Sequence, residues 1–245
     1  MHVVITAGGT SAPDLAQATG GPYKALAPVG GRRCIDIAIE AARALAPAGI
    51  AVVAPDAVAA YVHDRVELVV PASDDGIVNI RRALRAFPAA QRLLYLTCDL
   101  PFLTAAALTD FSARAGNAGI AMALADGNAF DARFPGTAGH TLHLAGEYVA
   151  NGSVFLIERA ALAGLERTAG RFFSARKSLL RLAVLLGPVL LAKFALRRLR
   201  IADVEERASR ELGVAARAVR GCSPGICYDI DSVADWTYAQ PGAAR

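Results

Sequence analysis

Apolar runs of strand length alternate with stretches of helical spacing through the first half of this 245-residue chain. "HVVIT" (2–6), "GIAVVAP" (49–55), "VELVVPA" (66–72) and "RLLYLTCDLPFL" (92–103) are almost continuously apolar, as strands buried on both faces are. Between and after them come helical patterns from about Cys34 to Leu45, over "DGIVNIRRALRAF" with Ile77, Ile80 and Leu84 on one side, and over "TAAALTDFSARA" behind a Thr104 N-cap. This alternation predicts a mainly parallel α/β sheet with helices on both faces. Such sheets bind ligands at the carboxyl ends of their strands. Gly8-Gly9 and Asp99 both fall at such ends.

The remaining chain is organised around that frame. Hydrophobic residues make up 54% and charged residues 20%, enough apolar material for a folded core, and 1–245 is expected to be a single domain. The net charge of +4 suits an anionic small molecule as well as a nucleic acid or membrane, and alone it selects none of them. Cys34, Cys98, Cys222 and Cys227 have no metal or redox spacing and are expected to be reduced, mostly buried thiols of a cytoplasmic protein. "MHVVITAGG" has no charged n-region and reads as the first strand. Residues 119–157 carry glycines and short β-like pieces ("HTLHLAG", "SVFLI"), a small antiparallel part forming one wall of a cleft. Residues 171–212 read as a helical insertion, and "VAARAVRGCSPGICYDIDSVADWTYA" as strand, turn, short strand and capped helix.

Chemistry-bearing residues cluster at the predicted strand ends. The run "ITAGGTSAPDLAQATGGPYKAL" spells neither the Walker nor the dinucleotide fingerprint, yet it joins strand, glycine turn and Lys24. Lys24 taken alone is equally a solvated surface lysine. Asp99 could hold a hard cation or cap the turn before Thr104. Asp229 and Asp231, two apart, share one face of an extended strand, while Asp231 or Ser232 also suits the N-cap of the last helix. His140 and His143, three apart in an expected hairpin, point to opposite faces and cannot readily share a metal.

Together, in this order, the motifs resemble the MobA-like nucleotidyltransferase superfamily. Ala7-Gly8-Gly9, Lys24-Ala25-Leu26 and Val29-Gly30-Gly31 are similar to its opening signature. "CDLPFLT" is similar to its central Asp-x-Pro motif, and "DIDSVADW" to its late Asp-x-Asp motif. The resemblance spans nearly the whole chain, with 170–205 fitting least. It implies a GT-A-type, Rossmann-like fold and Mg²⁺-dependent transfer of a nucleoside monophosphate from an NTP to a small phosphorylated acceptor, with pyrophosphate released and no nucleic-acid partner. The implied nucleotide contacts are Ala7, Gly8, Gly9, Thr10, Lys24 and Asn79, although Asn79 by its own sequence context reads first as a surface helix residue. Lys24, Asp99 and Asp231 become the catalytic set. Asp99 and Asp231 hold the metal, with Asp229 in reserve, and "VANGSVFLI" places Asn151 and Gly152 against the acceptor unless Asn-Gly is a tight turn. One departure stands out: Thr10 to Thr19 form a long loop with no basic residue, where the family carries an arginine. Backbone N–H groups of Gly8, Gly9 and Thr10, or Gly20-Gly21, are the expected substitutes. A GT-A glycosyltransferase and a non-catalytic nucleotide-binding module are the alternative readings.

"RFFSARKSLLRLAVLLGPVLLAKFALRRLR" (171–200) contains no acidic residue. Its uncharged stretch is far shorter than the roughly 20 residues that span a bilayer. Gly187-Pro188 should divide it into two helices, with Pro188 in the first turn of the second. It is either a helical hairpin buried over the sheet or a segment lying against an anionic membrane or a lipid-phosphate acceptor.

Overall fold

The computed structural model describes residues 1–175 and 187–242. The chain begins β1 (His2–Thr6), α1 (Pro13–Thr19), β2 (Pro28–Val29), β3 (Arg32–Arg33), α2 (Cys34–Arg43), β4 (Ile50–Ala54), α3 (Asp56–Val62) and β5 (Leu68–Pro71). It continues α4 (Gly76–Arg85), β6 (Arg92–Thr97), α5 (Ala105–Ala115), β7 (Ile120–Asp126), α6 (Gly127–Arg133), β8 (Thr141–Leu144) and β9 (Glu147–Glu158). The last part contains α7 (Arg159–Ala175), α8 (Pro188–Ala195), α9 (Ile201–Leu212), β10 (Ala216–Val219) and α10 (Val233–Ala239).

The main sheet has the order β10-β7-β9-β6-β1-β4-β5, with β8 paired to β9. Pairings around β1 and β4, and between β10 and β7, are parallel, whereas β9 is antiparallel to β6, β7 and β8. The chain leaves β1 toward β4 and β5, then crosses back to place β6 on the other flank of β1. That reversal opens a crevice at the carboxyl ends of β1 and β6. Thr6 and Thr97 lie directly opposite, so the Gly8-Gly9 turn and Asp99 emerge side by side.

Strand alternation explains the continuous apolar runs. Val3 and Ile5 of β1 and Ile50 and Val52 of β4 face one layer with Ile35, Ile39, Leu108 and Phe111 of α2 and α5. Val4, Ala51 and Val53 face the opposite layer with Ala83 and Leu84 of α4 and Ala161 of α7. Both faces are thus dry, and each strand must be apolar at every position. A smaller cluster under α9 joins Leu124, Val149, Ile201 and Ala218.

Several local expectations are corrected. The long loop after Gly8-Gly9 contains α1, started by Pro13 and ended by Gly20 in the left-handed region. The β-rich part from 119 to 157 includes α6, whose N-cap Asp126 accepts from the Ala129 N–H. Asn151-Gly152 is no tight turn: both sit inside the 12-residue β9, opposite a register shift between Met122 and Leu124. Packing dictates this extension, because a side chain on Gly152 would press on Ala123 and on the Ile226 carbonyl. No strand follows β10 among the described residues. Pro224–Ile226 is a 3₁₀ turn, and 228–231 lie outside any helix or sheet. Pro188 does open α8 behind Gly187 at φ 85°, as expected, while 176–186 lie outside the described residues.

The 224–231 segment is fastened to the end of β6. The Ile230 N–H donates to the Asp99 carbonyl at 3.1 Å, and Gly225 lies so close to Phe102 that a Cβ would stand 2.5 Å from its carbonyl oxygen. Gly225→Ala is therefore expected to lower stability by about 1–3 kcal/mol through overpacking against backbone. Urea unfolding followed by circular dichroism measures it, and an unchanged midpoint would show that the two segments are not so tightly docked.

Candidate active site

Lys24 reaches the crevice by a local detour. After Gly8-Gly9 the chain makes α1, turns at Gly20, and returns antiparallel to itself with Thr10 bridged to Tyr23. The Ser11 N–H donates to the Pro22 carbonyl at 2.7 Å and the Lys24 N–H to the Gly9 carbonyl at 3.3 Å. Fifteen residues of sequence separation thereby close into a contact between Lys24 and Gly9. The N–H groups of Gly8, Gly9 and Thr10 donate to no acceptor among the described residues, which leaves three free donors in the turn beside Lys24.

The Lys24 ammonium lies 3.5 Å from Asp99 Oδ2 and makes a direct ion pair with Asp231 Oδ1. Its side chain is largely buried, as is that of Asp99, whereas Asp231 is 70% exposed. Burial works against the Lys24 charge, but Asp99, Asp231 and Asp229 outweigh it and raise its pKa above the ordinary lysine value. Burial raises the Asp99 carboxyl, and the Lys24 charge offsets this only in part. Asp99, Asp229 and Asp231 each present an oxygen within 4.8 Å of the others, the one such acidic or metal-ligating trio among the described residues. The buried Asp99 Oδ1 has no hydrogen-bond partner. An orphaned carboxylate oxygen beside two further carboxylates fits a hard divalent cation, which takes oxygen donors. Cys34 approaches the same region, but burial, and then Asp99, push its thiol up to about 12, so it is no nucleophile here.

The Asp229–Asp231 segment is held from below. Tyr228 is fully buried among Phe102, Phe130 and Phe134, with the Phe134 ring centroid at 4.8 Å. His140 stacks on Tyr228 at 4.7 Å and stands between two carboxylates, Nδ1 at 3.4 Å from Asp229 and Nε2 at 3.3 Å from Asp235. Asp235 in turn accepts from the N–H groups of Asp231 (3.1 Å) and Ser232 (2.8 Å) and from the Ser232 hydroxyl, completing a capping box that starts α10. His140 and Asp235 thus position both late carboxylates, a role not assigned from the sequence. The Ser232-to-Asp235 spacing signalled the cap, but nothing in the local sequence signals the return of His140 from 90 residues upstream. His143 is separate from it, stacked on Tyr148.

Other expected residues divide between sites. Ala7 is buried at the end of β1, and Gly8, Gly9 and Thr10 form the turn beside Lys24. Asn79 is buried rather than on the surface of α4. Its amide accepts from the Ser73 N–H and donates to the Ser73 carbonyl, both at 2.7 Å, while its Nδ2 packs against Gly8. It shapes the 73–79 wall of the crevice. Asn151 and Gly152 point to opposite faces of β9: Gly152 meets Ile226 under the acidic segment, and Asn151 lines an apolar groove beneath α8 and α9. The acidic trio and Asn151 are therefore not brought together.

A Rossmann-like sheet with a glycine turn, a lysine and an acidic trio at its switch point defines a nucleotidyltransferase type of protein. The chain matches the MobA-like NTP transferase domain over residues 3–207 and belongs to that family. Among solved structures, a hypothetical transferase from Thermus thermophilus is 30% identical, with a TM-score of 0.85 over 96% of this chain and 98% of that one. A 2-C-methyl-D-erythritol 4-phosphate cytidylyltransferase from Thermus thermophilus shares the fold at 15% identity, with a TM-score of 0.54 over 98% and 96% of the two chains. Rv0371c of Mycobacterium tuberculosis, solved as a complex with manganese, shares it at 17% identity, TM-score 0.55, over 97% and 96%. No curated protein sequence matches significantly.

His140 carries a pH prediction for the metal-free protein. Asp229 raises its pKa, burial opposes, and Asp235 adds to the rise, so the folded value lies above the ordinary 6.5. A raised folded pKa stabilises fully below the unfolded value and loses that contribution as pH climbs through the folded one. Relative to His140→Gln, the wild type is expected to show its stability advantage at mildly acid pH and to lose it progressively above about 6.5. Urea titrations in chelator across that range measure the difference, and a pH-independent difference would refute the charged bridge.

Proposed function

We propose that this chain transfers a nucleoside monophosphate from an NTP to a small phosphorylated acceptor and releases pyrophosphate. The observation that carries the proposal is the convergence of Lys24, Asp99 and Asp231 beside the Gly8-Gly9 turn at the switch point of the sheet. An acceptor phosphate oxygen attacks the α-phosphorus, the bond from that phosphorus to the β-phosphate bridging oxygen breaks, and pyrophosphate leaves. A phosphate nucleophile needs no general base, so the protein's work is positioning and charge neutralisation.

Asp99 and Asp231 would hold Mg²⁺, with Asp229 close enough to join them, and the ion would neutralise phosphate charge when bound. Lys24 presently supplies the cation that these carboxylates need. Its ammonium would offset the negative charge that builds on the α-phosphate in the transition state. The N–H groups of Gly8, Gly9 and Thr10 would take the place of the loop arginine, donating to the β- and γ-phosphate oxygens as an anion nest. Asn79 holds the crevice wall against which the nucleoside would lie. Four buried, unpaired thiols suit the reducing cytoplasm in which we place the reaction.

Two experiments test the reading. Differential scanning fluorimetry with each NTP and Mg²⁺ should stabilise the protein by about 2.7 kcal/mol for the correct nucleotide at 100 times its Kd. With that nucleotide and a panel of sugar and polyol phosphates, pyrophosphate release should fall at least on the order of 10²-fold in Lys24→Ala, mostly in kcat. Asp99→Asn and Asp231→Asn should each lose the Mg²⁺-dependent turnover. Nucleotide binding with no pyrophosphate release from any acceptor would favour the non-catalytic module, and transfer from a nucleotide sugar the glycosyltransferase.

A further inference from the structure

Helix α8 has the wrong surface for a helix of a water-exposed face. Such helices bury one apolar stripe and turn charge outward. Here Leu190 alone is buried, while Val189 is 67% exposed, Leu191 39%, Phe194 51% and the following Leu196 66%. Ala192 and Ala195 are exposed as well. Lys193 is the helix's one charged residue, and its ammonium is tied to Asp203 of α9 at 2.6 Å. Leu190 below and Leu199 behind, whose carbonyl accepts from the Ala145 N–H, fasten the segment to the sheet. The apolar display is thus presented on a fixed support.

Charge sits at one end of that display. The chain leaves α8 through Arg197 at φ 54°, and Arg197, Arg198 and Arg200 are all exposed. None of the three guanidinium groups is in an ion pair among the described residues, although most other arginines of the surface are. Arg200 has Asp203 near it, whereas Arg197 and Arg198 border the exposed apolar side chains with no ion pair, and together they complement a surface that is itself apolar below and anionic at its rim. No described helix is long and apolar enough to cross a membrane, and α8 has only 8 residues.

We propose that α8 and the arginines after it form a docking surface for an anionic lipid bilayer, lying in the interface with Val189 and Leu196 among the acyl chains, Phe194 at the edge of the groove beneath the helix, and Arg197, Arg198 and Arg200 at the headgroups. This is the second of the two roles open to the 171–200 segment from its sequence, and it is independent of the transfer reaction.

Flotation of the full chain with phosphatidylglycerol-containing vesicles, against pure phosphatidylcholine vesicles, tests it. The protein should float with the anionic vesicles at low salt, be released at high salt, and stay behind with the neutral ones. Arg197→Gln/Arg198→Gln should lower the partition coefficient on the order of thirtyfold, at about a kilocalorie per charge. Val189→Ser/Leu196→Ser alters two highly exposed side chains, should keep the wild-type melting temperature, and should also lose binding. Failure to float with anionic vesicles at low salt overturns the proposal. So does binding that survives the serine pair, which would reduce the contact to loose electrostatic adsorption. A dimer in light scattering that the serine pair dissolves would assign the face to a second copy instead.

Discussion

Three carboxylates converging within 4.8 Å repel one another, and a cation standing among them offsets that repulsion. In this protein that cation is Lys24, paired with both Asp99 and Asp231. Much of the surrounding structure serves to deliver it. The α1 excursion, the left-handed turn at Gly20 and the antiparallel return to Gly9 bring a lysine from an otherwise distant position onto the end of β1. The same acids outweigh the cost of burying the ammonium and keep Lys24 charged.

The two halves of the acidic trio come from opposite ends of the fold and depend on different supports. Asp99 follows β6 directly, so the hydrogen-bonded ladder to β1 sets its place. Asp229 and Asp231 lie outside any sheet, and their segment is ordered by packing instead. Buried Tyr228 anchors it in a cluster of aromatic rings, the Asp99 carbonyl ties it to β6, and His140 with Asp235 grips it from beneath. A strand would have set the spacing of Asp229 and Asp231 by its pleat. Here a loop reaches a similar result, through side chains contributed by distant elements.

The stretch from Thr10 to Thr19 carries no basic residue. A phosphate needs donors and positive potential, and unpaired backbone N–H groups provide the first without any side chain. Asn79 contributes by bracing the wall at Ser73 rather than by reaching into the crevice, and its packing against Gly8 explains why that position has no side chain. The groove beneath α8 and α9, which Asn151 lines, lies on the other face of β9 from Gly152, so adjacent residues serve separate surfaces.

The layered α/β architecture was legible in the residues alone, because strands buried on both faces must be apolar at every position and turns must break that run. Asp99, Asp229 and Asp231 could be picked out as candidates because Asp99 closes a predictable apolar run and the other two precede a helix cap, and the structure brings the three together; Lys24 could be picked out only from its place after the glycine turn. Tertiary structure decided the rest. That α1 fills the long loop, that Asn79 is buried, that Asn151-Gly152 runs straight through β9, and that His140 bridges Asp229 and Asp235 all depend on contacts between residues far apart in the chain. Local patterns encode which positions are apolar and where the backbone may turn. They carry no record of which distant side chain will arrive to satisfy a buried carboxylate, and that is settled only when the chain closes on itself.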